Sequence, residues 1–378
     1  MPPMKKKLYA ALTLTVLIMS VVPAINLKQV FTAQSDVKWW KSKVLYNMDS
    51  FHAVISEWIY PIGLSISPGK VIIGKDGWLF LGDDYANTIS SKRMGMNQED
   101  TRTVEKVARS VEAWSQWLNN KGVVAFRIVV GPDKDSVYPE HLPNWSSHAP
   151  ARPTDVLLRY VRDDIYVDPT KALLKAKEQL LHPLYYKTDT HWNNAGAWIA
   201  FDELRKSLSK SQARLTWPQA REPLILKTHE RLGGDLAQFL RIQASLTDHE
   251  TVLNFPDEYA LPVEHQDFNS GDITFAGQNI GVASPASPLL VKSPHALNPK
   301  KVLWLRDSFG MSMSPLMSAT FTETLHVYYL PLKPEGLVSL IERFQPDYVF
   351  ITSVERDIRS DFFQSGPPIA DVEAAVIN

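Results

Sequence analysis

Asp189 and His191 lie two residues apart in YYKTDTHWNNAGAW (residues 185–198), a carboxylate and an imidazole just ahead of a segment with helical period. Side chains in extended backbone alternate sides with period two, so these two share a side and can meet. A carboxylate on one imidazole nitrogen fixes the tautomer and steadies the imidazolium, which suits the ring to act as general base towards a hydroxyl. The hydroxyl comes from far along the chain, at Ser308 in KVLWLRDSFG (301–310). This serine falls just after an apolar strand-like run and just before a helix. From there it can aim Oγ into a crevice while its own N–H helps an oxyanion. Alone, Ser308 reads as a helix cap and His191 as a satisfied histidine beside Trp192. Together with Asp189 they make three complementary roles, each at a strand end or helix start.

The surrounding elements follow an α/β pattern. Val104, Val107, Val111, Trp114 and Leu118 recur every three or four positions between Gln98 and Asn120, with Gly122 as a stop. The apolar run 123–130 then suits a strand buried on both faces. It empties into GPDKDSVYPE (131–140), where Asp133, Lys134 and Asp135 either line a pocket at the carboxyl end of the strand or form a solvated turn. A Pro-rich connector (142–153) leads to a helix, a short strand and a second helix with Asp168 and Pro169 at its start. Asn193 or Asn194 caps the helix after the Asp189–His191 stretch. The last quarter alternates strands (KVLWL, TLHVYYL, DYVFITSVE) with helices, the second opened by Pro334, which implies parallel neighbours. Earlier, KVIIGKDGWLFLGDD reads as a hairpin turning at Lys75-Asp76-Gly77. In it Trp78 is a core aromatic or, alternatively, a sugar-stacking platform. Residues 216–300 lose helical period and read as a β-rich insertion over one edge of the site, with short strands at DITFAG and NIGVA and a compact turn at RLGGDLAQFL.

Composition narrows the function classes. The chain has 378 residues, 44% of them apolar, enough for one large domain or two smaller ones, and a formal net charge of -1 gives no basic field for nucleic acid. With no cysteine, thiol nucleophiles, disulfides and Cys-based zinc sites are excluded. No metal is expected, because His141, His148, His182 and His229 show no paired ligand spacing. Lys5, Lys6 and Lys7 precede an uncharged run from Leu8 to Leu27, long enough to cross a bilayer with the lysines inside and the rest of the chain outside. A signal peptide cut near Pro23-Ala24 is the alternative. The expected organisation is an anchor (1–30), a stem with an incoming helix around WWKSKVLYNMDSFHAVISEWIY (31–70), and one large domain (71–378) containing the 216–300 insertion.

DTHW followed by NNAG, the later RDSFG, the early KDGWLFL and the GPDKDSVYPE loop, in this order, resemble the bacterial exopolysaccharide O-acetyltransferases of the alginate AlgJ/AlgX type. These form a branch of the SGNH hydrolase-like superfamily, and the resemblance covers roughly residues 71–355. It implies a three-layer parallel sheet between helices, in circularly permuted motif order, with the Asp and His before the serine. Carried over, Ser308 is the nucleophile, His191 the general base and acid, and Asp189 its orienting partner. The second oxyanion donor is unassigned, with Arg306 and Tyr328 as candidates, while Asp307 is expected to be structural. The short tail after the last strand leaves no room for a carbohydrate-binding module, which favours the anchored AlgJ-like plan. The resemblance further implies a secreted polysaccharide as acceptor, no cofactor, a polytopic membrane-bound O-acyltransferase as acetyl donor, and a periplasmic position at the inner membrane. A polysaccharide acetylesterase and a non-catalytic polysaccharide-binding scaffold are the rival readings.

Overall fold

The computed structural model describes residues 3–32, 38–146, 152–161, 164–209, 214–256 and 259–368. Part of the expected stem (33–37), the middle of the Pro-rich connector (147–151) and the last part of the tail (369–378) lie outside them. The hairpin forms as its turn chemistry requires: β1 (Val71–Ile73) and β2 (Leu79–Leu81) pair antiparallel, Val71 opposite Leu81, with Asp76 and Gly77 both at positive φ. Trp78 is buried and stacks on Tyr138 and His141, so it is a core aromatic and no sugar platform.

The central sheet is built from β3 (Ala125–Gly131), β4 (Tyr166–Val167), β7 (Pro262–Asp267), β8 (Ile273–Gln278), β9 (Leu289–Lys292), β10 (Asn298–Arg306), β11 (Phe321–Val327) and β12 (Tyr348–Val354). Its order is β4-β3-β12-β10-β11-β9-β7-β8. The first five run parallel, while β9 pairs antiparallel with β11, β7 with β9 and β8 with β7. The sheet is therefore mixed, where the family resemblance implied a parallel one. The reason is chain length: parallel neighbours need a crossover of about a dozen residues or more, and the short turn between β7 and β8 permits only a hairpin.

Register sorts the strand residues onto two cores. Trp304 and Phe350 pack on one face with Phe201, Leu204 and Met317, whereas Leu303, Leu305, Val349 and Ile351 pack on the other with Val107, Val111 and Leu340. The helices Asn194–Ser209 and Ser314–Thr320 thus cover one face, and Gln98–Asn120 and Pro334–Phe344 the other, giving three layers. At about 1.5–3 kcal/mol for each large apolar side chain fully buried, this two-sided core fixes the strand ends on which the site is built.

Residues 216–300 hold more strand than the sequence showed. Besides β7, β8 and β9 they contain an antiparallel ribbon of β5 (Ile225–Leu232) and β6 (Thr247–Leu253). DITFAG is β8, as expected, while RLGGDLAQFL, expected as a compact turn, encloses the short helix Asp235–Phe239. NIGVA is not a strand: the carbonyls of Val282 and Ala283 accept hydrogen bonds from the Arg306 guanidinium instead. The ribbon escaped the sequence reading because LKTHERL and TDHETV are polar and carry no apolar alternation.

Candidate active site

Ser308 lies two residues past the end of β10, the strand flanked by β11 and β12, and opens a single turn, Ser308–Gly310. The turn is capped by Asp307, whose Oδ1 accepts the Phe309 N–H at 2.8 Å and whose Oδ2 accepts the Val354 N–H at 2.7 Å. Ser308 is thereby relieved of the capping role, and its Oγ is free to face the crevice. Asp307 is buried and structural, as its position beside Ser308 suggested.

Asp189 and His191 sit in the loop before the helix Asn194–Ser209, which Asn193 caps through its Oδ1 and the N–H groups of Ala195 and Gly196. Lys134 pins this loop from beneath. Its ammonium donates to the carbonyls of Tyr186, Lys187 and Asp189 at 3.0, 2.9 and 2.7 Å, and its charge lies over the Trp78 and Phe80 rings. Burial pushes this ammonium down to about 8, against the pull of Asp189, Asp235 and Asp248. The loop is also tied to the serine turn, because the Trp192 indole N–H donates to the Phe309 carbonyl at 2.9 Å while the Phe309 ring packs against His191.

Three loops therefore meet at the edge of the sheet. His191 Nε2 lies 2.7 Å from Ser308 Oγ, and His191 Nδ1 lies 2.6 Å from Asp189 Oδ1. With the carboxylate accepting from Nδ1–H, Nε2 is left as the acceptor for the serine proton. Burial works against a charged imidazole, but the hydrogen bond and charge of Asp189, with Asp235, outweigh it and the opposing Arg356, raising His191 above its ordinary value. For Asp189, burial alone would push the carboxyl up. The His191 hydrogen bond and charge, with Arg231 at 3.5 Å, hold it far below the carboxylate range. Gly234 is required here: a Cβ at that position would come within 2.2 Å of the Asp189 Cβ.

Of the other sequence candidates, Arg306 is corrected. It is fully buried, and four of its five N–H groups are spent on His326 Nδ1 and the carbonyls of Asp307, Val282 and Ala283, which anchors the guanidinium inside the fold. Burial accordingly lowers it to about 10. Asp133 and Lys134 do not line an open pocket but lie under it. Tyr328 remains half-exposed just past the end of β11, and burial, with the nearby charges of Asp357 and Asp307, raises its phenol.

Sequence reasoning missed a buried ionic layer beneath the site. Lys92 pairs with Asp133, Asp135 and Glu355 at 3.0, 2.9 and 3.5 Å, Arg356 pairs with Asp133, and Arg152 reaches Glu355 at 3.4 Å. These contacts join the ends of β3 and β12, on whose spacing the crevice depends. Removing one member of a buried network strands the others, at about 3–5 kcal/mol. Lys92→Met is therefore expected to lower unfolding stability by that amount in urea titration.

Asp235 was also missed. Its Oδ1 accepts the Thr190 N–H at 2.7 Å, its Oδ2 accepts the Thr190 hydroxyl at 2.5 Å, and Oδ2 lies 3.7 Å from His191 Nδ1. Asp189, His191 and Asp235 each place one ligand atom within 4.8 Å of the others, a spacing that could hold a metal. Metal at Nδ1 would displace the proton that joins His191 to Asp189, and with it the base function of Nε2.

Residues 71–279 match the family described as SGNH hydrolase-like domain, acetyltransferase AlgX. The chain belongs to this family. Among curated relatives it is similar to a probable alginate O-acetylase AlgJ of Pseudomonas putida, 26% identical over 284 residues, covering 70% of this chain and 64% of the relative. The corresponding protein of Pseudomonas aeruginosa is 32% identical over 176 residues, covering 46% and 41%. The chain thus spans less than two thirds of the length of these relatives. The solved structure of Bacillus cereus PatB1 shares the family fold with a TM-score of 0.55, at 16% identity over 78% of this chain and 98% of that one.

Proposed function

We propose that this chain is an extracytoplasmic O-acetyltransferase that moves an acetyl group onto hydroxyls of a secreted polysaccharide through an acetyl-serine. The observation that carries the reading is the continuous line Asp189 Oδ1, His191, Ser308 Oγ, with spacings of 2.6 and 2.7 Å. His191 Nε2 takes the Ser308 proton as Oγ attacks the acetyl carbonyl. The Ser308 N–H is the oxyanion donor this reading assigns, since the next N–H, of Phe309, is committed to Asp307. Collapse expels the donor oxygen, which takes the proton from His191 and leaves acetyl on Oγ. A sugar hydroxyl then gives its proton to Nε2, attacks the acetyl-serine, and Ser308 leaves with that proton. Tyr328 stands at the rim as a candidate second donor.

Residues 1–30 are read as an anchor, 31–70 as a stem and 71–378 as the catalytic domain. The apolar helix, which runs from Pro3 to Thr32, supports the anchor, the lysines that precede the apolar run support an orientation with the rest of the chain outside, and we read that position as periplasmic, at the bacterial inner membrane. A polytopic membrane-bound O-acyltransferase would supply acetyl from within the same bilayer. The test is to give the purified protein a chromogenic acetyl ester with and without oligosaccharide. Acetylated oligosaccharide is expected; free acetate as the sole product under both conditions would instead make the protein an esterase.

His191 must be neutral to accept the serine proton, so the rate should rise with pH through a pKa lying above the ordinary ~6.5. Asp235 helps hold that pKa up. Asp235→Asn is expected to shift the acid limb of the kcat/KM profile to lower pH, with the plateau rate close to wild type.

A further inference from the structure

The helix Asp49–Ile59 and the turn Tyr60–Ile62 leave much of their apolar side uncovered. Phe51, Val54, Ile55, Trp58 and Ile62 recur at the spacing of one helical face, the stripe such a helix normally turns inward. Here Ser56 is the residue buried and Phe51 and Ile55 are half-buried, while Trp58 is 77% and Ile62 71% exposed, with Val54 and Leu64 also exposed. The polar side does the docking: Asp49 accepts from Arg241 at 2.6 Å and Glu57 from Ser245 at 2.7 Å. Both partners follow closely on the short helix that begins at Asp235, beside His191.

The position of this face relative to the apolar helix indicates what covers it. Leu8 to Leu27 amounts to about 30 Å of helix, the thickness of a bilayer core, which puts Asn26 at its outer boundary. Asn26 is buried there, donating through Nδ2 to the carbonyls of Leu45 and Asn47, both at 2.8 Å. Residues 45–47 are thereby held level with the end of the span. Trp39, Trp40 and Tyr46 are exposed in the same segment, and Lys28, Lys38, Lys41 and Lys43 surround them. Tryptophan and tyrosine favour the headgroup region, and lysines favour anionic headgroups.

We propose that the outward face of residues 39–64 lies in the outer headgroup layer of the membrane the chain is anchored in. It would then act as an interfacial platform whose polar back holds the Asp235 segment, and with it the catalytic crevice, at a fixed height above the bilayer. The proposal rests on the anchor reading above.

The chain has no cysteine, so single cysteines can report on it. Trp58→Cys, Ile62→Cys, Leu14→Cys and Leu181→Cys, the last 98% exposed, are made in the full chain. Each is labelled with an environment-sensitive fluorophore and placed in nanodiscs of phosphatidylethanolamine and phosphatidylglycerol. Labels at 58 and 62 are expected to show a several-fold loss of quenching by iodide relative to 181, together with quenching by doxyl-labelled lipid. Iodide access equal to that at 181 overturns the platform. So does protection from iodide without lipid quenching, which would mean that a second copy covers the face. A label at 14 untouched by lipid quencher defeats the anchor reading separately, while positions 58 and 62 still decide the platform.

Discussion

Ser308→Ala is expected to lower kcat/KM for an acetyl ester by about 10⁴-fold to 10⁶-fold while leaving the melting temperature close to wild type. The rate loss follows because Oγ is the only group the proposal gives for accepting acetyl, and His191 cannot stand in without another attacking hydroxyl at 2.7 Å from Nε2. The unchanged stability follows from the cap. Were Ser308 the capping residue, alanine would cost about 1 kcal/mol. Asp307 supplies that hydrogen bond instead, and Ser308 is exposed. Stopped-flow or steady-state hydrolysis alongside calorimetry separates the two effects. A scaffold that only binds polysaccharide would lose nothing in either measurement.

Asp189→Asn is expected to cost about 10⁴-fold in kcat with the protein still folded. The amide removes the charge that stabilises the imidazolium and can present a donor where Nδ1–H needs an acceptor. It has no room to adapt, since Gly234 packs directly on this side chain and Arg231 faces its other oxygen. The pH profile carries a second signature. Asp189 contributes the hydrogen bond and charge that raise His191, so its removal should move the acid limb to lower pH as the plateau falls. A variant with a lowered plateau and an unmoved limb would place Asp189 outside the proton path.

The Asp189–His191 contact was legible in the sequence because its geometry is local, whereas Ser308 lies 117 residues further on and was legible by its place at a strand end. Asp189 and His191 meet through a two-residue offset, and Ser308 is marked by an apolar strand that stops at a turn before a helix. Arg306 was misjudged for the converse reason: adjacency to the serine says nothing about which side of β10 its guanidinium enters, and the partners that absorb it come from residues 282–283 and 326. Lys134 was placed correctly at a strand end, yet its acceptors are carbonyls of a loop more than fifty residues away, which no side-chain pattern records. Asp235 had one readable signal, the paired glycines of RLGGDL, of which Gly234 marks a close backbone approach to Asp189. Lys92, Glu355 and Arg356 had none, because a buried ion pair in sequence looks like ordinary surface charge. The mixed edge of the sheet was hidden because the strands there are short and their pairing is decided by loop length.

Capture of the covalent intermediate tests the central claim most directly. The full chain is mixed with an activated acetyl ester, quenched in acid within the first turnover, digested and mapped by mass spectrometry. The account predicts one added acetyl group on Ser308, absent from Ser308→Ala and reduced in Asp189→Asn. Acetyl on a different residue, or turnover that persists in Ser308→Ala, would contradict it.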